Sequence, residues 1–472
     1  MYTSKYNYLV VFILFFSVSS CRKYVEIEPQ GKIIPSTVND YQLLLNNSGV
    51  FNLSYGSVEY ATDNVALLND SFINRFAVQP LNIYKWADLF YQINEDDPEW
   101  NLFYQQIYNA NVAIQGLPNA KSGDENLKQQ LIAQAKVHRA YAYLCLVNLY
   151  AKQYQAGSAA TDLGVPLLTE PSYTQNLKRA SVGAIYDLIL SDLNVGAATL
   201  APLPSSKTAP SKSAAYALLA RTYLDMGNYQ KALDNANLSL GIQSGLFDLN
   251  SYISAGAGSG LPDGFFLPTS QDNLEVILMK ASSDGGAEFP LSPELMTLLG
   301  TKDLRTYFFT YYVGPDGDPS GIFTYPGTYH AYFAPFETNP ASGSTQMGPT
   351  VPEMMLIKAE CLARTQRGQA GLAVVNELRK TRFKPIDYTA LAAGNDDDAL
   401  ILILQERRRE LFCKGARLFD LKRLNTDPKL AKTISHPLKT QQLTLAPGSN
   451  RYIYPIPVKV ISTNPEIEQN PR

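Results

Sequence analysis

The chain has 472 residues, 45% hydrophobic and 18% charged, which excludes a disordered polymer and supplies a large core. Forty Lys and Arg face 43 Asp and Glu, so no strong positive field gathers nucleic acid, and none is expected as a partner. Three His and four Cys leave little for a zinc site or a disulfide framework, whereas 30 Tyr, 20 Phe and 2 Trp suit a protein that holds something flat or apolar without transforming it.

In chain order, Lys5 precedes an apolar run from Tyr8 to Phe16. The run matches a signal-peptide core and falls short of the roughly 20 residues a spanning helix needs. Val18-Ser19-Ser20-Cys21 resembles a bacterial lipobox, in which the Cys thiol receives lipid and becomes the mature N-terminus. Residues 1–20 are therefore expected to be removed, with lipidated Cys21 as a membrane anchor; each buried acyl methylene contributes about 0.8 kcal/mol. The other three cysteines, Cys145, Cys361 and Cys413, lie in apolar helical contexts and are expected to be buried free thiols. Residues 22–35 are expected to run extended from the membrane to the body, and a first helical region follows near 40–46.

The segment 100–117 carries Leu102, Phe103, Ile107, Val112 and Ile114 at helical spacing and stops at Pro118. Residues 126–150 predict a longer helix, antiparallel to the first. Helical periodicity returns at 182–200, 212–225 and 229–240. In the last two, Ala217 and Ala220 precede Gly227-Asn228-Tyr229 and then Ala232 and Ala236. Small residues let the helices approach, Gly227 ends the first, and Tyr229 packs in the crook, as in a tetratricopeptide hairpin. Looser copies are expected at 351–364 with 370–382 and at 399–414 with 416–424, and the 100–150 pair makes a degenerate fourth. The predicted fold is mostly α: four helix pairs in a tetratricopeptide-like scaffold, about 100–245 and 351–425, within one domain over 21–472.

Two loop-rich inserts interrupt the scaffold. Residues 245–350 are dense in Gly and Pro, lose helical periodicity and carry Tyr307, Phe308, Tyr311, Tyr312, Tyr325, Tyr329 and Tyr332. Residues 48–99 hold Tyr55, Tyr60, Trp86, Phe90 and Tyr91. Loops on a rigid scaffold are where binding groups concentrate.

From Cys21 onward the chain resembles the SusD/RagB family. The resemblance is carried by the lipobox, Trp100-Asn101-Leu102-Phe103-Tyr104, Arg139-Ala140-Tyr141-Ala142-Tyr143 and Gly164-Val165-Pro166-Leu167. It continues through Ala214-Ala215-Tyr216-Ala217, Glu406-Arg407-Arg408-Arg409-Glu410 with Arg417 and Asp420, and the tail from Pro455 to Pro471. It implies an outer-membrane lipoprotein facing the cell exterior. Such a protein binds a nutrient, commonly a glycan, and delivers it to a SusC-like TonB-dependent transporter.

A sugar site needs exposed aromatic faces with polar groups beside them. Trp86, near Glu95-Asp96-Asp97, is the leading single candidate, whereas Trp100 opens a helix and is assigned to packing. Asp63 and Asn64 match a family position near the ligand face, against the alternative of a helix cap or Asx turn. Tyr325, Tyr329 and Tyr332, with His330 among them, complete the candidate set, while His138 sits in a helix with no second His near it. The acids and bases of 406–410 are expected to pair on a helix rather than to do acid/base work. No GxSxG, HExxH or phosphate-binding loop is present, and no cofactor or metal is expected. The expected function is non-catalytic capture of an oligosaccharide. Peptide capture is the second reading, and a glycoside hydrolase the third.

Overall fold

Helices start where a short polar side chain takes up the free N–H groups of the first turn. The structure, a computed structural model, describes residues 35–68, 73–74, 76–172, 174–252, 271–282, 290–313, 329–332 and 345–472. Cys21 and Tyr325 lie outside them. Helix α1 (Val38–Leu45) opens on a capping box between Thr37 and Asp40. The short helix α2 (Val78–Tyr84) leads to Trp86. Asp97 caps α3 (Pro98–Gly116), with Pro98 in the first turn, and Asp124 caps α4 (Glu125–Tyr150).

Every residue of α4 from 137 to 150 is buried, so this helix is central rather than amphipathic. Its polar side chains must then find partners inside. Arg139 donates two bonds to Asp192 (2.7 and 3.0 Å) and one to Asn111 (2.7 Å). On α4 packs α5 (Val182–Thr199), on α5 packs α6 (Lys212–Asp225), and on α6 packs α7 (Tyr229–Ile242). Gly196 on α5 has no room for a side chain: a Cβ there would fall 2.4 Å from Val137 Cγ2 and 3.2 Å from the Ala215 Cβ.

The α6–α7 hairpin forms as its sequence indicates. Gly227 turns it at φ +72°, Ala217, Ala220, Ala232 and Ala236 are fully buried between the helices, and Asn228 caps α7. The next helix in the stack, packed on α7, lies beyond the insert.

The described residues of the 245–350 insert are less irregular than its composition suggests. They hold helices α8 (Pro293–Leu299) and α9 (Leu304–Phe309), too short to show a periodicity. A two-stranded ribbon follows, β1 (Thr310–Val313) antiparallel to β2 (Tyr329–Tyr332). The scaffold resumes with α10 (Val351–Arg364), α11 (Gly368–Lys380), α12 (Asp396–Leu411) and α13 (Arg417–Leu424). Here α10 packs on α7, and α12 packs on α10 and α11. A second ribbon, β3 (Ile434–Leu438) with β4 (Gln441–Leu445), was not foreseen in the sequence.

The expected charge pairing of 406–410 holds, with its main partners across the fold rather than along the helix. Arg305 of α9, fully buried, donates to Asp303 (2.8 and 2.6 Å), Glu406 (2.6 Å) and Glu410 (2.7 Å). Glu406 also accepts from Arg379, and Glu410 from Arg382. The tail closes the molecule. Asn470 Nδ2 donates to the carbonyls of Tyr150 and Tyr454 (both 2.8 Å), and Arg451 and Arg472 donate to those of Trp86 and Ala87. Cys145, Cys361 and Cys413 are buried free thiols, as expected.

Candidate functional site

Asp63, Asn64 and Trp86 converge on one buried knot. At its centre is His436, which β3 turns inward with Ile434 by the two-residue alternation of a strand. Its ring lies between those of Tyr84 and Trp86, 4.1 Å from each, at 10° and 20°. Nδ1 stands 2.7 Å from the Tyr84 carbonyl oxygen and Nε2 2.8 Å from that of Thr62. Burial lowers the imidazole pKa, while these two carbonyls and Asp63 oppose the shift.

Trp86 is 2% exposed, sits at φ +50° and donates its indole N–H to Ala61 O at 3.0 Å. The expected open aromatic plane is therefore absent: one face covers His436 and the ring is sealed in the core. Asp63 is also buried and accepts both Arg417 bonds (2.7 and 2.8 Å), with Lys432 Nζ at 3.1 Å. Burial works against its charge, but Arg417, Arg408 and Lys432 outweigh that and hold its pKa far below the carboxylate range. Asn64, fully buried, donates to Glu59 (2.6 Å) and accepts from Arg408 (2.8 Å). Neither side chain is free for a ligand hydroxyl.

The knot instead fixes the insert. Ser292, the cap of α8, donates its N–H to the Asn64 carbonyl and its hydroxyl to that of Asp63, both at 2.7 Å. Next come α9, locked by Arg305, and then the ribbon. Its register pairs Tyr332 with Thr310, Ala331 with Tyr311, His330 with Tyr312 and Tyr329 with Val313. Three of the candidates, Tyr329, His330 and Tyr332, are thus brought beside Tyr311 and Tyr312, which the sequence placed only in a loose aromatic cluster. Nothing in the sequence pointed to His436 except the alternation of Ile434-Ser435-His436.

The remaining assignments follow. Trp100 packs edge-on against Tyr150 (4.9 Å), and His138 stacks on Phe51 (4.5 Å) with Nδ1 3.2 Å from Lys280 Nζ. An open groove of about 560 Å³ beside the knot is lined by Glu294, Leu298, Ile401, Leu404, Leu424 and Lys432. A second, of about 630 Å³, is lined by Leu53, Pro98, Trp100, Asn101, Tyr104 and Gln105. Among the described residues no group of three or more His, Cys, Asp or Glu is placed to hold a metal, and no helix is long and apolar enough to cross a membrane.

Residues 23–224 match a family model described as starch-binding associating with outer membrane, and residues 351–472 match that of the SusD family. Two SusD-like proteins of Formosa agariphila are 24% and 25% identical, over 98% and 70% of this chain and 98% and 58% of their own. The fold is that of a SusD superfamily protein from Bacteroides thetaiotaomicron, with a TM-score of 0.71 at 23% identity over 92% of this chain and all of the other. A putative sugar binding protein from Bacteroides vulgatus gives 0.71 at 19%, covering 93% and 99%. A laminarin binding SusD-like protein gives 0.61 at 20%, covering 92% and 99%. With a tetratricopeptide-like helical stack, these matches at both ends and the same fold in those structures, the chain belongs to the SusD/RagB family.

Proposed function

We propose that this protein is a non-catalytic surface lipoprotein. It is anchored through Cys21, captures an oligosaccharide with the β1–β2 ribbon, and delivers it to a SusC-like TonB-dependent transporter. The carrying observation is the ribbon register, which within four rungs places Tyr312, His330 and Tyr332 on one face and Tyr311 and Tyr329 on the other. Tyrosine rings suit the C–H faces of sugars, and their hydroxyls and the imidazole suit the edges. Asp63, Asn64 and Trp86 act in this scheme as positioning residues that hold α8 and the foot of the ribbon. Glu406 and Glu410 support a non-catalytic role, since arginines engage both and leave neither to serve as a general acid.

The laminarin-binding relative makes β-glucans a sensible first ligand class. Calorimetric titration against a glycan panel that includes laminarin is the test. A glycan should bind, and the Tyr329→Ala/Tyr332→Ala double variant should lose at least about tenfold in affinity, roughly the loss of one stacked ring, with its Tm unchanged. Unaltered affinity in that variant would sink the ribbon as the platform. Peptide capture is the second reading, favoured by the groove between α8 and α12, where a floor of Leu298, Ile401 and Leu404 meets the charges of Arg408, Glu294 and Lys432.

A further inference from the structure

The groove over the first turns of α3 has a volume of about 630 Å³, within the range of small-ligand sites, roughly 300–1,000 Å³. One wall is α3 itself, and the other comes from Gly49 and Leu53. Side chains four apart are neighbours on a helix surface, so Trp100 and Tyr104 make one ridge of the α3 wall, and Asn101 and Gln105 make the next. Rings therefore run alongside carboxamides. No charged side chain lines the space.

Trp100 is 5% exposed, with its ring packed on those of Tyr104 and Tyr150. Its indole Nε1 nevertheless stays open to solvent and meets no acceptor among the described residues. Trp86 differs on this point, since its N–H is spent on the Ala61 carbonyl. A tryptophan that is buried except for an unpaired donor at the edge of a groove leaves a place for a ligand oxygen. Tyr104 is partly exposed, and its hydroxyl is taken by the Pro166 carbonyl (2.9 Å), so its contribution to the groove is the ring. Asn101 and Gln105 are exposed, and a carboxamide both donates and accepts.

A ring face, a fixed donor and two donor–acceptor groups without charge suit a neutral ligand that presents C–H patches edged with hydroxyls. An anionic ligand would find no cation in the wall. A wholly apolar one would cover the Trp100 N–H and leave it unpaired, which costs about 1–3 kcal/mol.

We infer that this groove is a second glycan subsite, which takes a short run of uncharged sugar rings. A ligand oxygen accepts from Trp100 Nε1, a sugar face lies on Tyr104, and further hydroxyls meet Asn101 and Gln105. The inference rests on the glycan class of the proposed function but uses none of the ribbon's residues, so either site can fail without the other.

The chain has two tryptophans, and Trp86 is sealed, so a ligand-induced change in tryptophan emission reports the groove. The full protein is titrated with laminarihexaose, cellohexaose and maltohexaose, and with hexagalacturonate as the charged counterpart. At least one neutral hexasaccharide should change the emission saturably, and hexagalacturonate should not. In the Asn101→Ala/Gln105→Ala double variant, alanine suits both exposed helix positions, and the response should weaken by at least about tenfold. The Tyr329→Ala/Tyr332→Ala variant should keep it intact. Silence with all three neutral hexasaccharides, an unweakened response in the Asn101/Gln105 variant, or a response lost with the ribbon tyrosines would each overturn the subsite. Heat of glycan binding with unchanged tryptophan emission would refute the groove and leave the ribbon standing.

Discussion

Glu99 is a carboxylate that folding makes harder to ionise. It lies at the start of α3 and accepts bonds from Gly56 N (2.9 Å), Ser57 N (2.9 Å) and Ser57 Oγ (2.7 Å). Burial, then the charge of Asp97, pushes its pKa up to about 7. Asp97 is itself raised by burial, against a 2.6 Å bond from the Tyr150 hydroxyl. A folded pKa above the unfolded one means that the protonated form is favoured in the native state. Stability from this group is present below about pH 4.5 and is lost as pH rises towards 7, by on the order of 1–3 kcal/mol. Glu99→Gln keeps an acceptor for both backbone donors and removes the titration. Chemical denaturation at pH 5 and pH 8 should show the variant losing less stability between the two than the parent. An equal loss would contradict the assignment. Two buried lysines, Lys280 and Lys422, are pulled down to about 7 by burial and contribute a slope of the opposite sign, so only the difference between variant and parent isolates Glu99.

Between elements, glycines decide which contacts are possible. Gly196→Ala would push a methyl into Val137, a cost of about 1–3 kcal/mol by overpacking. Gly241, near the end of α7, has open space around it, so Gly241→Ala should stabilise by about 0.5–1 kcal/mol through helix propensity. Thermal melts of the two variants should move in opposite directions. The same scale shows what the sequence could disclose. The helices of 98–242 and 351–411 were legible because small and apolar residues repeat at helical spacing and Gly, Asn and Pro mark their ends. The ribbon of β3 and β4 was not, because its turn at Lys439, φ +55°, carries no Gly or Asn signal. Burial was the harder quantity. Trp86 sits among polar and small residues that resemble a surface loop, and only the distant His436 and Tyr84 reveal that its face is covered. Equally, Asp63 announces a polar site in sequence, while its three cationic partners lie some 345 to 369 residues away.

Across the whole molecule, buried ion pairs link segments that hydrophobic packing alone would leave loosely registered. Arg305 joins the foot of the β1–β2 ribbon to α12, and through Glu410 and Arg382 to Glu275. Arg305→Met would strand the buried Asp303 and take one cationic partner each from Glu406 and Glu410, which keep Arg379 and Arg382. A loss of at least about 3 kcal/mol is expected, read as a lower denaturation midpoint. A change below about 1 kcal/mol would mean that the acids find other partners. The tail has a different bearing. Arg472 reaches a carbonyl 385 residues earlier, and Arg451 holds the carbonyl of Trp86. The carbonyls of Trp86 and Ala87 therefore lack these donors until residues 451 and 472 have joined the fold. Contacts across so many residues carry a high loop-closure cost, so the turn at Trp86 and Ala87 is expected to be fixed late in folding.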